Sequence, residues 1–162
     1  MNIAVQHLFP ASPGQLWGFL LDPKRLARCL PGCETLEEVA PDRYIAVMKI
    51  GVAAVKGTYT GRVEITEKQA PFHYKLSLEG SAAPGFVRGH AAMDLIEQDL
   101  GRTLLSMNAE AQAGGLIASV GQRFLSGIAR QMVGQFFRNV EQELNRAGAS
   151  AVPSPVERGF RE

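Results

Sequence analysis

From Tyr44 to Ala111 apolar and polar residues alternate with period two, and the apolar register repeatedly carries glycine, alanine, methionine or tyrosine where a closely packed sheet would carry valine, isoleucine and leucine. That register reads Tyr44, Ala46, Met48, Ile50, then Val55, Gly57, Tyr59, Gly61, Val63, then Tyr74, Leu76, Leu78, Gly80, Ala82. It continues Val87, Gly89, Ala91, Met93, Leu95 and Leu105, Met107, Ala109, Ala111. The interleaved register holds most of the charge, including Lys49, Lys56, Arg62, Glu64, His73, Lys75, Glu79, Arg88, His90, Asp94 and Glu110. Such alternation predicts antiparallel strands with one solvent face and one interior face. Interiors pack to crystal-like density, so an interior face this rich in small residues meets bulky partners, marks bends in a curved sheet, or encloses a cavity. In a wrapped sheet bends and a cavity occur together.

The flanking segments frame those strands. Asn2 to Phe9 reads as a strand ended by Pro10, and Ser12-Pro13 and Asp22-Pro23 each carry an N-cap followed by proline in the first helical turn. Two short helices are therefore predicted, the second stopped by Pro31-Gly32. After Gly114-Gly115 the pattern becomes helical, predicting one long helix from Leu116 to Arg146 ended by Gly148. Its apolar residues recur every fourth position, Leu116, Val120, Phe124, Ile128, Met132, Phe136, Val140 and Leu144. At about 100° per residue such a series drifts by roughly 40° per step, so it cannot stay on one face. Either a broad face packs on the sheet, or part of the helix is left for a partner, a second copy or a lipid surface. One domain over residues 1–147 and a flexible tail over 148–162 are expected, with Phe160 between Arg158 and Arg161 as a candidate docking point.

At 162 residues the chain can bury a core without disulfides or metal. Seventeen Lys and Arg against 16 acids leave no footprint for a polyanion, so no nucleic-acid partner is expected. Outside the tail no basic cluster stands out beyond Lys24, Arg25 and Arg28. Met1 to Phe9 lacks a secretory start and no stretch is long enough to span a bilayer, which predicts a cytoplasmic protein.

The chemistry of the residues points to binding. Cys29 and Cys33 flank Pro31-Gly32 while His7, His73 and His90 are scattered, so no metal set forms and buried free thiols are expected. No nucleotide fingerprint, nucleophile triad or HExxH motif is present; no cofactor, metal or catalytic residue is assigned. The polar members of the interior register are Tyr44, Tyr59 and Tyr74, whose hydroxyls could bond a carbonyl or phenol. His73 and His90 fall on the outward register.

The run Asp22-Pro23-Lys24-Arg25-Leu26-Ala27-Arg28-Cys29-Leu30-Pro31-Gly32-Cys33-Glu34 resembles the signature of the carbon monoxide dehydrogenase CoxG family, within the START/Bet v 1-like (SRPBCC) superfamily. Similar motifs follow in order: Val55 to Gly61, Gly85 to Ala91, Gly121 to Phe124, and Gln135-Phe136-Phe137, so the resemblance covers about Asn2 to Leu144. It implies an α+β helix-grip fold, a curved antiparallel sheet of about seven strands wrapped around a long C-terminal helix, with two short helices after the first strand. The space between sheet and helix is the implied ligand chamber, expected to be lined by Tyr44, Ala46, Met48, Tyr59, Gly61, Tyr74, Leu76, Leu78, Val87, Gly89, Ala91, Met93, Met107, Phe124, Ile128 and Met132. Enlarging Gly89 or Ala91 is expected to block that chamber without abolishing folding.

The resemblance also implies function: non-catalytic binding of a hydrophobic small molecule, quinone- or lipid-like, in the service of carbon monoxide dehydrogenase or a related molybdenum hydroxylase. Assembly, quinone delivery, or recruitment through transient contact with the inner face of the cytoplasmic membrane are the implied roles. Many members carry a longer C-terminal extension, and the short tail here argues against permanent anchoring. Two other expectations stay open: a polyketide cyclase or aromatase working through the tyrosines, and an interaction factor acting through the long helix and tail.

Overall fold

Both short helices begin at the side chains that the sequence supplies as caps. The computed structural model describes residues 1–151, with side chains to residue 147. Strand β1 (Asn2–Phe9) leads into α1 (Pro13–Leu20) and α2 (Pro23–Cys29). Ser12 Oγ accepts from the Gln15 backbone N–H at 3.3 Å, and Gln15 Oε1 accepts from the Ser12 N–H at 3.0 Å, so two donors at the helix start are satisfied reciprocally. Asp22 Oδ1 accepts from the Lys24 N–H at 3.0 Å to start α2. The chain then turns at Gly32, φ +77°, whose carbonyl accepts from the Lys49 N–H at 2.8 Å. A Cβ on Gly32 would run into the Lys49 carbonyl, so the turn requires glycine.

Six strands follow: β2 (Cys33–Ala40), β3 (Arg43–Ile50), β4 (Gly57–Gln69), β5 (His73–Ala82), β6 (Gly85–Glu97) and β7 (Thr103–Gly114), with a 3-10 turn at Ala53–Val55 between β3 and β4. Every neighbouring pair is antiparallel in the order β1-β7-β6-β5-β4-β3-β2. Strands β2 to β7 thus pair with their chain neighbours, and β1 alone crosses the molecule to pair with β7. The α+β helix-grip arrangement of seven antiparallel strands, two short helices and a long C-terminal helix is observed as expected.

The long helix differs at both ends from its expected span of Leu116 to Arg146. Gly115–Val120 is a 3-10 segment, and the α-helix proper, α3 (Gln122–Ala151), begins after Gly121, whose φ of +95° interrupts any continuous helix. Gly148 does not end α3; its backbone stays helical to Ala151, since one glycine costs a helix only about 1 kcal/mol. The rest of the expected tail, including Arg158, Phe160 and Arg161, lies outside the described residues.

The drift of the four-residue series is visible in burial. Leu116 is 75 % exposed and Phe124 45 %, whereas Val140 is fully buried. Phe137 is fully buried, its ring meeting Phe9 edge-on at 5.7 Å between centroids and tilting against His7 at 5.9 Å. Polar contacts fix the same half of α3: His7 Nε2 lies 2.6 Å from Glu141 Oε1, and Asn139 Nδ2 donates to the Cys29 carbonyl at 2.9 Å. Arg28 Nε donates to Glu143 Oε1 at 3.2 Å. The C-terminal half of α3 is therefore seated on β1 and α2, and its N-terminal half spans the sheet with far less of its own surface buried.

Candidate functional site

Strand register lines up the small residues in rows. Ala46 pairs with Gly61, Gly61 with Gly80, and Gly80 with Val87; one row over, Gly89 pairs with Ala111, and the next row pairs Ala91 with Ala109. Where small side chains lie side by side on the inner face, the sheet floor stands away from α3 and space remains between them.

That space forms two adjoining chambers of about 380 and 390 Å³. They share walls at Met1, Leu30, Val63, Leu78, Val87 and Ala129. Of the expected residues, Tyr44, Tyr74, Leu76, Gly89, Ala91, Met93 and Met107 line the first chamber. Ala46, Met48, Tyr59, Gly61, Ile128 and Met132 line the second. Leu78 and Val87 face both. Phe124 lines neither, a correction that follows from the break at Gly121, which starts α3 with Phe124 turned to solvent.

Several wall residues were missed from sequence. Leu26 and Leu30 at α2, with Leu36 of β2, close the first chamber on one side, and Ala129, Val133 and Phe136 cover it from α3. The spacing of the last three, i, i+4, i+7, is a legible helical face whose first member is only an alanine. Ile117 and Leu125 bound the second chamber, next to the conspicuous four-residue series but not on it.

Polar handles are fewer than expected: almost no polar atom reaches either wall. The Tyr59 hydroxyl donates to the Val55 carbonyl at 2.7 Å and is thus committed to the 3-10 turn. Tyr74 is fully enclosed, its ring edge-on to Trp17 at 5.4 Å, and its hydroxyl makes no hydrogen bond to any described residue. Burial, with the Tyr44 phenol beside it, pushes its pKa well above the ordinary value. Tyr44 is raised by burial and then by the Glu38 and Asp42 carboxylates. The folded state holds these phenols protonated while an unfolded tyrosine titrates near 10.0, so the stability they contribute is complete below that pH and is lost as pH rises past it. Urea midpoints are expected to fall between about pH 9 and 11, and Tyr74→Phe to flatten that fall; an unaltered slope would assign the alkaline loss to other groups.

The outer face of the sheet carries a polar depression of about 530 Å³ bordered by Arg62, Glu79 and Arg88, where Arg43 and Glu64 pair at 3.4 Å. His73 Nδ1 sits 2.7 Å from Asp94 Oδ1, and His90 is largely exposed beside Glu110, so both histidines face away from the chambers. Cys29 is buried, its thiol pKa pushed up by burial and by Glu143 against the opposing Arg28 and Arg146. Cys33, expected to be buried, is half-buried at the start of β2, and its thiol donates to the Thr35 carbonyl at 3.3 Å. Neither lines a chamber. Among the described residues no three His, Cys, Asp or Glu are grouped to hold a metal, and no helix is long and apolar enough to cross a membrane.

Comparison with known proteins agrees with this architecture. Residues 8–145 match the family model of the carbon monoxide dehydrogenase protein CoxG. A conserved protein from Geobacillus kaustophilus is similar at 35 % identity and a TM-score of 0.88, over 91 % of this chain and 97 % of that one. A START superfamily protein from Mycobacterium smegmatis has a TM-score of 0.73 at 8 % identity, over 90 % and 98 % of the two chains, which is a likeness of fold. A Thermus thermophilus protein aligns at 13 % identity and a TM-score of 0.69, over 91 % and 99 %. No curated protein matches.

Proposed function

The chain belongs to the carbon monoxide dehydrogenase CoxG family, and on that premise we propose that it is a non-catalytic carrier of a hydrophobic, quinone- or lipid-like molecule held between sheet and α3. Family and START-like fold together suggest a ligand-binding accessory protein. The enzyme served is carbon monoxide dehydrogenase or a related molybdenum hydroxylase, through assembly, membrane recruitment or quinone delivery.

The observation that supports this best is the pair of adjoining chambers with nearly all-carbon walls. Walls of that kind hold a molecule by removing its apolar surface from water, at about 25 cal/mol per Å². They cannot satisfy a polar head group, which costs free energy wherever it is buried without a partner. An elongated apolar chain fits such a space better than a compact polar substrate. A cyclase or aromatase needs hydroxyls free to act on a bound chain, and the Tyr59 hydroxyl is already held by Val55.

Native mass spectrometry of the purified protein, followed by solvent extraction, is expected to recover an apolar molecule. Protein purified from lipid-rich cells with no such molecule, and no uptake of an added fatty acid or short-chain quinone, overturns the carrier role. Genes for molybdenum hydroxylase subunits beside this one would support the accessory role separately.

A further inference from the structure

The overall charge of +1 conceals a segregation. No Asp or Glu occurs between Asp42 and Glu64, between Glu79 and Asp94, or between Glu110 and Glu141. The fold brings parts of these three segments to one end of the molecule. The 3-10 turn Ala53–Val55 packs against the 3-10 segment Gly115–Val120, and the Ile117 N–H donates to the Pro84 carbonyl at 2.9 Å in the turn between β5 and β6. The first turn of α3 follows directly.

Two features coincide there. Val52, Leu116 and Phe124 are exposed at 40, 75 and 45 %, although their chain neighbours Ile117 and Leu125, together with nearby Ile50 and Val55, form the wall of the second chamber. The same segments carry Lys49, Lys56, Arg123 and Arg130, none of which has an acidic partner among the described residues. Elsewhere Arg25, Arg28, Lys68, Lys75, Arg102 and Arg146 each stand 2.6–3.4 Å from a carboxylate. Exposed apolar side chains beside unpaired cations, with no acid in the same segments, match the chemistry of an anionic lipid surface, whose acyl region takes the one and whose head groups take the other.

We propose that this end of the second chamber, built from the two 3-10 segments and the start of α3, docks on anionic lipid bilayers. The proposal rests on the carrier function, because a chamber wall that meets the bilayer is useful to a protein whose cargo comes from or returns to lipid. A linear scan for basic clusters misses the surface, since its four cations are spread over three segments and diluted by the net charge.

Flotation with vesicles tests it. Full-length protein is expected to bind phosphatidylcholine vesicles containing about one third phosphatidylglycerol, to bind pure phosphatidylcholine far less, and to release near 1 M salt, where charges are screened within about 3 Å. Lys56→Glu and Arg123→Glu are each expected to weaken binding about tenfold, and Leu116→Asp with Phe124→Asp to abolish it. All four side chains are exposed, and unchanged urea midpoints would verify that the variants fold. Equal binding to both vesicle types, no binding, or variants that bind like the parent overturn the proposal. A parent that sediments as a dimer and becomes monomeric in Leu116→Asp assigns the surface to a second copy and also overturns it. Uptake of a soluble fluorescent fatty acid, measured without vesicles, separates the two ideas: docking variants that keep uptake leave the carrier function standing, whereas lost uptake with intact vesicle binding removes the carrier and keeps the surface.

Discussion

Gly80→Leu is expected to lose most ligand uptake while the protein folds as well as before. Gly80 pairs with Gly61 on β4 and Val87 on β6 and faces the second chamber. The atom nearest to a Cβ placed there is the Thr60 carbonyl oxygen at 4.0 Å, so a side chain enters without backbone movement. Leucine also suits a strand better than glycine and fills unpacked space with carbon, both of which favour the folded state. A bound molecule must then overlap the new side chain or leave. Overpacking of that size costs about 1–3 kcal/mol, roughly a five- to 150-fold weaker affinity. Titration with a fluorescent fatty acid, paired with thermal melts, measures both. Uptake like the parent's would show that the second chamber does not hold the ligand. Gly89→Leu, which from sequence promised the same result, tests something else: a Cβ there collides with the Glu110 carbonyl and lies 3.0 Å from Ala111 Cα, so it would disrupt the β6–β7 pairing.

Phe137→Ala is expected to cause the largest loss of stability. Phe137 is fully buried against Phe9 and His7 and also walls the first chamber. Truncating a buried phenylalanine costs about 3–5 kcal/mol, through lost transfer free energy and the cavity left behind. For a chain of this length each kcal/mol lowers Tm by about 2–4 °C, so a fall of roughly 6–20 °C follows. Phe124→Ala, in the same helix but 45 % exposed, should stay within about 0.5 kcal/mol of the parent. Urea denaturation of both variants checks the contrast. Similar losses would mean that α3 is not seated by its C-terminal half as described.

The two substitutions also show where the sequence is legible. Period-two alternation placed the inner face of every strand from β3 to β7, because a sheet with one solvated side imposes that pattern directly. What it could not separate was why each glycine is small. Gly61 and Gly80 leave room, whereas Gly89 allows two backbones to approach closely, and the sequence writes all three with the same letter. Helix α3 was visible as a period, but its start was set by one positive φ at Gly121, which moved Phe124 from the wall to the surface. The tyrosine hydroxyls were counted as free because a sequence cannot show that Val55 already accepts from Tyr59. Charge failed for a related reason: proximity in the fold, not in the chain, decides which cations go unpaired.

The pairing of β1 with β7 sets the order in which the molecule can be built. Strands β2 to β7 need only their chain neighbours and can form hairpin by hairpin as they leave the ribosome. Asn2–Phe9, made first, has no sheet partner until Thr103–Gly114 has emerged, and at about 5–20 residues per second that is a wait of roughly 5–20 s. During it Phe9 lacks the ring of Phe137 as well, since α3 is later still. The nascent chain therefore holds an unpaired hydrophobic strand at its leading end while a finished sheet exposes an apolar inner face, the interval in which chaperones, or the cargo itself, have most to protect.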